Sequence, residues 1–382
     1  MKIALVHDYI KEFGGAERVL KALSEMYPDA PIYTAFCVRG STAEKEFKDR
    51  RIIESKFAPL LKIWKLYSPL RFLIPVIWRS FDLSKYDLVI TSSSWYITRG
   101  FKVGKNTKVI DYCHTPPRWL YGYETSVGFT KYWPVKIYAT IVGHFIRMFD
   151  FKTAQDPARN ASACVAGGVD YFIANSKNVQ ARIKKFYRRD STVIYPPVDV
   201  GRIMNYVSSI KVKKEDYYLI ASRLVGAKGI EQSISIFEKL GEKLKIVGEG
   251  AGYSNISSRF TGHRSPNIEF LGRVSDEELW QLYAGAKAFI ALARDEDFGM
   301  TVVEAQAAST PVIAFNGGGF KESVINNETG ILIDEISEKS LKGAISKVDK
   351  TSWNRDKLIA NARKFSKEKF ISEMKRFVTK YA

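Results

Sequence analysis

The 382-residue sequence has few cysteines and histidines, three of the first and four of the second. An odd number of cysteines without a CxxC pair argues against a disulfide framework and a zinc site, and predicts a reducing compartment. Charged residues interrupt the longest apolar runs well before about 18 residues, so no membrane-spanning helix is expected. The opening KIALVHD is strand-like, which predicts that no signal peptide is present. The sequence contains neither the P-loop motif GxxxxGK[ST] nor a GxGxxG fingerprint.

Acidic residues are also in deficit, because 41 Asp and Glu stand against 59 Lys and Arg and give a net charge of +18. The surplus is concentrated in residues 1–195, which carry 31 basic and 17 acidic residues. Such a balance predicts an anionic partner, and nucleic acid, an acidic membrane and a phosphorylated ligand all remain open. Because no helix-turn-helix, zinc finger or RRM signature accompanies the charge, nucleic-acid binding is the weaker alternative.

The content of 46% hydrophobic and 26% charged residues is that of a globular protein. Short runs that are apolar on both faces alternate with amphipathic helical patterns, which predicts buried parallel strands in an α/β fold. We predict two doubly wound domains: residues 1–198, completed by an amphipathic C-terminal helix at 366–382, and residues 199–365. The polar Gly201–Asp216 stretch is interpreted as a linker. The predicted strands are Lys2–His7, Tyr86–Thr91, Lys108–Cys113, Tyr171–Asn175, Thr192–Tyr195, Tyr217–Ala221, Leu244–Val247, Asn267–Leu271, Ala288–Leu292 and Val312–Phe315.

Candidate functional residues follow the predicted strands, since ligands of open parallel sheets bind at the carboxyl ends of strands. In the first half, the Gly14-Gly15 pair precedes a helix and would let a phosphate approach the backbone. His114 follows another strand, where an imidazole could donate to a hydroxyl or shuttle a proton. For each motif alone, an ordinary turn or a loop histidine remains the alternative.

In the second half, Arg223 and Lys228 bracket a glycine turn and suit a diphosphate. Glu296 and Glu304 are separated by seven residues, with a Phe-Gly turn and a helix start between them. A carboxylate in the second position could accept two ribose hydroxyls, and the first could face an electron-poor carbon. The Gly317–Gly319 run offers either a backbone-lined concavity or merely a flexible loop.

Taken in order, these segments resemble glycosyltransferase family 4, retaining enzymes of the GT-B fold. The Glu-x7-Glu element in EDFGMTVVEA is the most specific, and CHTPPR with VIYPPVD resembles bacterial mannosyltransferases of O-antigen and polysaccharide assembly. One departure is Asp297, where many members have glycine. The other carrying segments are GGAE from Gly14, ANSK from Ala174, SR at Ser222 with KG at Lys228, GEG from Gly248 and FLGRV from Phe270.

The resemblance implies two Rossmann-like domains, with a nucleotide-sugar held mainly by the second. Arg223 and Lys228 would neutralise the donor diphosphate in place of a metal, so neither a metal nor another cofactor is expected. Catalytic roles would fall to Glu296, beside the transferred sugar, and to His114. Donor contacts are implied at Gly15, Arg223, Lys228, Val274, Phe298, Gly299, Met300 and Glu304.

The basic surplus of the first half suggests where the acceptor lies. Between Lys56 and Arg79, cations alternate with aromatic and aliphatic residues at near-helical spacing, and Tyr132–Lys152 is similar. This pattern is typical of an interfacial membrane segment, with a core helix as the alternative. The residues expected to contact the membrane or the acceptor are Lys62, Trp64, Lys65, Arg71 and Trp78.

The sequence therefore predicts a cytoplasmic enzyme, peripherally associated with the inner face of the plasma membrane, that transfers a hexose to a lipid-linked saccharide. GDP-mannose is the preferred donor, and a UDP-sugar is the alternative. The less favoured alternatives are a nucleic-acid-binding protein, another enzyme on the same fold and an inactive homologue.

Overall fold

The computed structural model describes residues 1–63, 67–123, 133–155, 168–250 and 265–381. The chain divides into two compact units. The N-terminal unit contains Met1–Tyr123, the described part of residues 129–197, and the residues from Phe370 onward. The C-terminal unit contains Val198–Lys369.

The N-terminal unit is built on a parallel sheet of seven described strands in the order β3-β2-β1-β4-β5-β6-β7. Most of their side chains are buried, which explains why the longer strands read as continuous apolar runs. The chain leaves β1 in one direction along the sheet and returns to β4 on its other side, so a topological switch point lies between β1 and β4. The strands are β1 (Ile3–His7), β2 (Ile32–Thr34), β3 (Ile52–Glu54), β4 (Leu88–Ser93), β5 (Lys108–Cys113), β6 (Tyr171–Ala174) and β7 (Ser191–Val193).

Helices cover both faces of this sheet, as two separate buried clusters show. The first begins at Gly15 and is capped by Glu17, whose Oε2 accepts a hydrogen bond from Gly14 N at 3.0 Å. The predicted C-terminal amphipathic helix is confirmed, and its Phe370 and Met374 lie in the core of this unit. The helices are α1 (Gly15–Met26), α2 (Thr42–Glu46), α3 (Ala58–Lys62), α4 (Ile74–Arg79), α5 (Trp133–Thr153), α6 (Lys177–Tyr187) and, at the C-terminus, α14 (Lys367–Tyr381).

The C-terminal unit repeats the architecture with a parallel sheet of six described strands in the order β10-β9-β8-β11-β12-β13. The ten predicted strands are all present, whereas β2, β3 and β13 were not predicted. The strands of this unit are β8 (Tyr218–Ala221), β9 (Leu244–Val247), β10 (Ile268–Gly272), β11 (Ala288–Ala291), β12 (Val312–Phe315) and β13 (Gly330–Ile333).

The predicted linker is partly wrong, because Val200–Ser209 forms a helix of the C-terminal unit. Tyr206 of this helix packs edge-on against Trp280 at 5.5 Å, and the guanidinium of Arg202 lies 5.0 Å from the same indole. Ser275 and Glu278 form a capping box at the start of the helix Asp276–Gly285. The helices are α7 (Val200–Ser209), α8 (Ile230–Leu240), α9 (Asp276–Gly285), α10 (Met300–Ala307), α11 (Phe320–Ser323), α12 (Glu338–Lys350) and α13 (Arg355–Arg363).

Candidate functional site

The carboxyl edge of the C-terminal sheet gathers three loops that carry predicted site residues. Residues 222–229 follow β8, residues 292–299 follow β11, and residues 316–319 follow β12. Because these three strands are parallel neighbours, their loops leave the same edge of the sheet. Val274 lies after β10 and just before the cap of α9.

An ion pair joins the first two loops: Lys228 Nζ donates to Glu296 Oε2 at 2.5 Å. The two side chains are 27% and 18% exposed, so both are partly withdrawn from water and still accessible. The structure thus brings together the predicted diphosphate-binding cation and the predicted catalytic carboxylate. Arg223 lies in the same loop as Lys228 and is exposed.

The glycine run after β12 holds the backbone around Glu296. Gly318 has a left-handed φ of +54°, and a Cβ at this position would lie 2.3 Å from the carbonyl oxygen of Glu296. Gly319 N donates to that same oxygen at 2.8 Å. The run therefore makes a close backbone-to-backbone contact that positions Glu296, and the backbone-lined concavity stays a prediction.

A second glycine sets the start of α10. Gly299 has a left-handed φ of +87°, and a Cβ there would lie 2.6 Å from the ring of Phe320. Phe298 before it is buried against Phe365 with ring centroids 5.2 Å apart, and Met300 is the first residue of the helix. This turn separates the segment that carries Glu296 from the helix that follows it.

Glu304, the second carboxylate of the Glu-x7-Glu element, is buried inside the C-terminal unit. Its side chain on α10 is 2% exposed, and Oε2 accepts a hydrogen bond from the Tyr283 hydroxyl at 3.1 Å. Tyr283 belongs to α9, and the spacing of Glu296 and Glu304 gave no indication of it. The ribose-binding role of Glu304 stays a prediction.

In the N-terminal unit, His114 belongs to a row of hydrogen-bonded side chains. Its Nε2 lies 2.8 Å from Ser92 Oγ, which in turn lies 3.0 Å from His7 Nδ1. His7 Nε2 lies 3.5 Å from Glu17 Oε1. Sequence reasoning selected His114 and Gly15, the first residue of α1, but it missed Ser92 and His7.

A separate buried ion network anchors α5 from within. Arg99 donates to Asp111 Oδ2 of β5 at 2.9 Å and also to Asp150 of α5. Tyr121 donates to the second oxygen of Asp150 at 2.7 Å. Arg99 and both aspartates are essentially inaccessible to water, so the network fixes the inner face of α5 to the sheet.

Two family models match almost the whole chain: "Glycosyltransferase Family 4" at residues 13–202 and "Glycosyl transferases group 1" at residues 204–365. The chain is a family 4 glycosyltransferase. It is 22% identical over 331 residues to alpha-1,3/1,6-mannosyltransferase ALG2 of Dictyostelium discoideum, covering 76% of this chain and 73% of that protein. It is 28% identical over 201 residues to an uncharacterized glycosyltransferase of Methanocaldococcus jannaschii, covering 52% of this chain and 55% of that relative's length.

Solved structures confirm the GT-B fold of this glycosyltransferase. HepE of Anabaena, in complex with UDP and glucose, is 17% identical with a TM-score of 0.66, and the match covers 99% of both chains. WaaG, a glycosyltransferase involved in lipopolysaccharide biosynthesis, is 15% identical with a TM-score of 0.60 over 95% of each chain.

The residues that the sequence assigned to a membrane or acceptor surface lie in different environments in the glycosyltransferase, and not all of them are exposed. The assignment of Trp78 is wrong, because its side chain is fully buried and its indole nitrogen donates to the carbonyl of Tyr96 at 2.5 Å. Arg71 is half-buried, and its guanidinium carbon lies 4.8 Å from the ring centroid of Trp119 and 5.1 Å from that of Trp95. Burial lowers the pKa of Arg71. Lys62 is paired with both oxygens of Glu54. Trp64 and Lys65 lie outside the described residues.

Exposed apolar side chains are most numerous on α5, within the Tyr132–Lys152 stretch that the sequence also indicated, and four more lie between Lys56 and Arg79: Leu60, Ile63, Phe72 and Val76. Trp133 is 74% exposed, Phe145 65% and Met148 58%. The exposed charged residues of this helix are all basic: Lys136, Arg147 and Lys152. Among the described residues, no helix is both long and apolar enough to cross a bilayer.

Proposed function

We propose that this glycosyltransferase transfers mannose from GDP-mannose, with retention of anomeric configuration, to a lipid-linked saccharide at the cytoplasmic membrane face. The observation that carries the proposal is the Lys228–Glu296 pair at the carboxyl edge of the C-terminal sheet. The similarity to the mannosyltransferase ALG2 supports mannose. A UDP-sugar is the second candidate donor, because the structurally similar HepE binds UDP and glucose.

In this proposal Lys228 and Arg223 contact the donor diphosphate. Their charges stabilise the nucleoside diphosphate as the bond from the sugar C1 to its phosphate oxygen breaks, which leaves no step that needs a metal. The oxygen of an acceptor hydroxyl forms the new bond to C1 on the same face, and its proton passes to the phosphate oxygen that leaves C1. Glu296 lies beside the sugar, and the backbone of residues 298–300 contacts the sugar or the phosphate.

Nucleotide binding tests the donor class directly. We expect GDP to raise the midpoint of thermal unfolding in the presence of EDTA, and UDP to raise it less at the same concentration. A larger shift with UDP would support the second candidate. No shift with any nucleotide would contradict the proposal.

Transfer itself tests the catalytic assignment. Glu296→Gln should nearly abolish transfer and leave the unfolding midpoint within a few degrees of wild type, because the amide keeps the shape of the carboxylate but not its charge. NMR of the product should show the anomeric configuration of the donor. Full activity in the variant, or an inverted product, would contradict the assignment.

We also propose that α5 is the surface that contacts the membrane. Its exposed apolar side chains can enter the interface, while its basic residues are attracted to anionic headgroups. Burying Trp133 and Phe145 is worth about 1.5–3 kcal/mol for each side chain.

Vesicles test this surface. We expect the double variant Trp133→Ser with Phe145→Ser to bind phosphatidylglycerol vesicles at least tenfold more weakly, and the wild type to prefer them to phosphatidylcholine. Ile325→Ser is the control, since this exposed apolar residue belongs to the C-terminal unit. Equal binding by the double variant and the control would refute the role of α5.

A further inference from the structure

Arg71 is a half-buried cation in a short 3₁₀ helix of the N-terminal unit, Pro69–Leu73. Its guanidinium lies over the rings of Trp95 and Trp119 and donates to Ser68 Oγ at 2.9 Å. Trp95 follows β4 and Trp119 follows β5, so both indoles lie at the carboxyl edge of the sheet. The indole nitrogen of Trp119 donates to the carbonyl of Trp95 at 3.3 Å, which joins the two loops.

Among the described residues, no carboxylate forms an ion pair with Arg71. The groups that influence its charge are four tyrosine side chains, and burial lowers its pKa. Arg202 of the C-terminal unit shows the contrast, because it lies 5.0 Å from the ring of Trp280 and is also paired with Glu277 at 2.7 Å. Charges that are withdrawn from water are normally paired with an opposite charge. The surroundings of Arg71 therefore favour an anionic ligand.

The chemistry of Arg71 suits a phosphate. A guanidinium is a planar fork of N–H donors, and in the described part of the chain only the bond to Ser68 uses them. Such a fork can donate two parallel hydrogen bonds to the oxygens of one phosphate. Because the two indoles and Ser68 already hold the side chain, less rotamer freedom is lost when an anion binds.

A second cation, Lys11, lies beside the same segment of chain. Its Nζ donates to the hydroxyl of Tyr67 at 2.9 Å, and Tyr67 directly precedes Ser68, the acceptor of Arg71. Lys11 is also 3.4 Å from a carboxylate oxygen of Glu12, which offsets its charge. Arg71 is therefore the cation of this pair whose charge an anion would balance.

The surroundings of Arg71 indicate that the phosphate is carried by a lipid. The hydroxyl of Tyr138, a residue of α5, donates to the carbonyl of Pro69 in the helix that carries Arg71. Phe72, the next residue after Arg71, is 47% exposed, and so is Val76. The cation thus adjoins both α5 and exposed apolar side chains of its own segment, and an anion with an acyl or prenyl chain can contact both.

We propose that Arg71 binds a phosphate group carried by a membrane lipid, with its fork donating to two phosphate oxygens. This inference rests on the proposed function, in which the acceptor is lipid-linked, and it names the part of the lipid that the N-terminal unit recognises. Two sources offer the same oxygens: a diphosphate that joins a saccharide to its lipid, and the headgroup of a bulk phospholipid.

Vesicles of matched surface charge test the site and distinguish its sources. Phosphatidylcholine vesicles are prepared with a long-chain prenyl diphosphate, with phosphatidic acid or with oleate, and are adjusted to one zeta potential. We expect the wild type to bind the two phosphate-doped preparations at least about tenfold more tightly than the oleate vesicles. Tighter binding to the prenyl diphosphate would support the acceptor lipid as the source, and equal binding to both phosphates would support the bulk headgroup.

Variants assign this preference to Arg71. Arg71→Met should remove it, and Arg71→Lys should weaken it several-fold, because an ammonium keeps the charge over the indoles but lacks the fork. Arg202→Met, which removes an arginine over a tryptophan of the other unit, and Lys228→Ala, which alters the proposed donor site, should keep it. Unfolding midpoints verify that each variant is folded.

Three results would overturn the proposal. They are equal wild-type affinity for all three vesicles, an unchanged preference in both Arg71 variants, and Arg71-dependent binding of inorganic diphosphate in solution without any vesicle preference. The last result would assign the site to a free phosphate. Absence of transfer from GDP-mannose and from every UDP-sugar, with an Arg71-dependent preference intact, would contradict the proposed function and not this site.

Discussion

Replacing Gly318 by alanine should displace the loop that carries Glu296. The new Cβ would lie 2.3 Å from the Glu296 carbonyl oxygen, more than 1 Å inside an ordinary van der Waals contact of 3.4–4 Å. A left-handed φ costs a non-glycine residue about 1–2 kcal/mol, and overpacking adds about 1–3 kcal/mol. Because a shift of about 1 Å at reacting groups can cost about 100-fold in rate, we expect a loss of that order in transfer.

Gly241→Ala is the matched control for this substitution. Gly241 also has a left-handed φ, +70° against +54°, but a Cβ there would meet nothing within 4 Å. Thermal unfolding and transfer rates of both variants separate the strain of the backbone from the contact with Glu296. Both variants should lose about 1–2 kcal/mol of unfolding free energy to the strained φ. Only Gly318→Ala should lose the further amount of about 1–3 kcal/mol that overpacking costs, together with its transfer activity. Equal stability losses with full activity in Gly318→Ala would refute the claim that the glycine run positions Glu296.

Two further predictions concern the N-terminal unit. Arg99→Met should destabilise the protein by about 3–5 kcal/mol in urea unfolding, because it leaves two buried carboxylates without their cation; a loss below 1 kcal/mol would contradict this role. Burial raises the pKa of Cys37 to about 11 and that of Cys113 well above its usual value. At pH 8 only about 0.1% of Cys37 is thiolate, so in a Cys164→Ser background a thiol reagent should react with both cysteines only after denaturation. Rapid reaction of the native protein at pH 8 would be the contrary result.

The sequence was most informative where burial alone determines the pattern. Strands such as Lys108–Cys113 and Val312–Phe315 are buried on both faces, so each appears in the sequence as a short continuous apolar run that predicts a strand. Sequence reasoning selected both Lys228 and Glu296 because each follows a predicted strand, but their ion pair was not predicted and depends on β8 and β11 being neighbours in the sheet. The three-residue strands β2 and β3 are too short to show a period.

Other features depend on contacts that no local pattern contains. A near-helical alternation of cations and aromatics does not reveal which side of the helix faces the core, and for this reason Trp78 was misplaced. The hydrogen bonds of Ser92 to both His7 and His114 require β4 to lie between β1 and β5, and the two histidines are more than 100 residues apart in the chain. Ser92 has no motif of its own and acquires its role only from that strand order.

Calorimetric binding of GDP to the wild type and to Lys228→Ala tests the central claim most directly. A hydrogen bond to a charged group contributes about 1.5–3 kcal/mol, so the dissociation constant should rise roughly 10- to 150-fold in the variant. Lys243→Ala, which removes an exposed lysine of the same unit, should bind like the wild type. Equal affinity for GDP in Lys228→Ala and in the wild type would contradict the assignment of this edge of the sheet to the donor diphosphate.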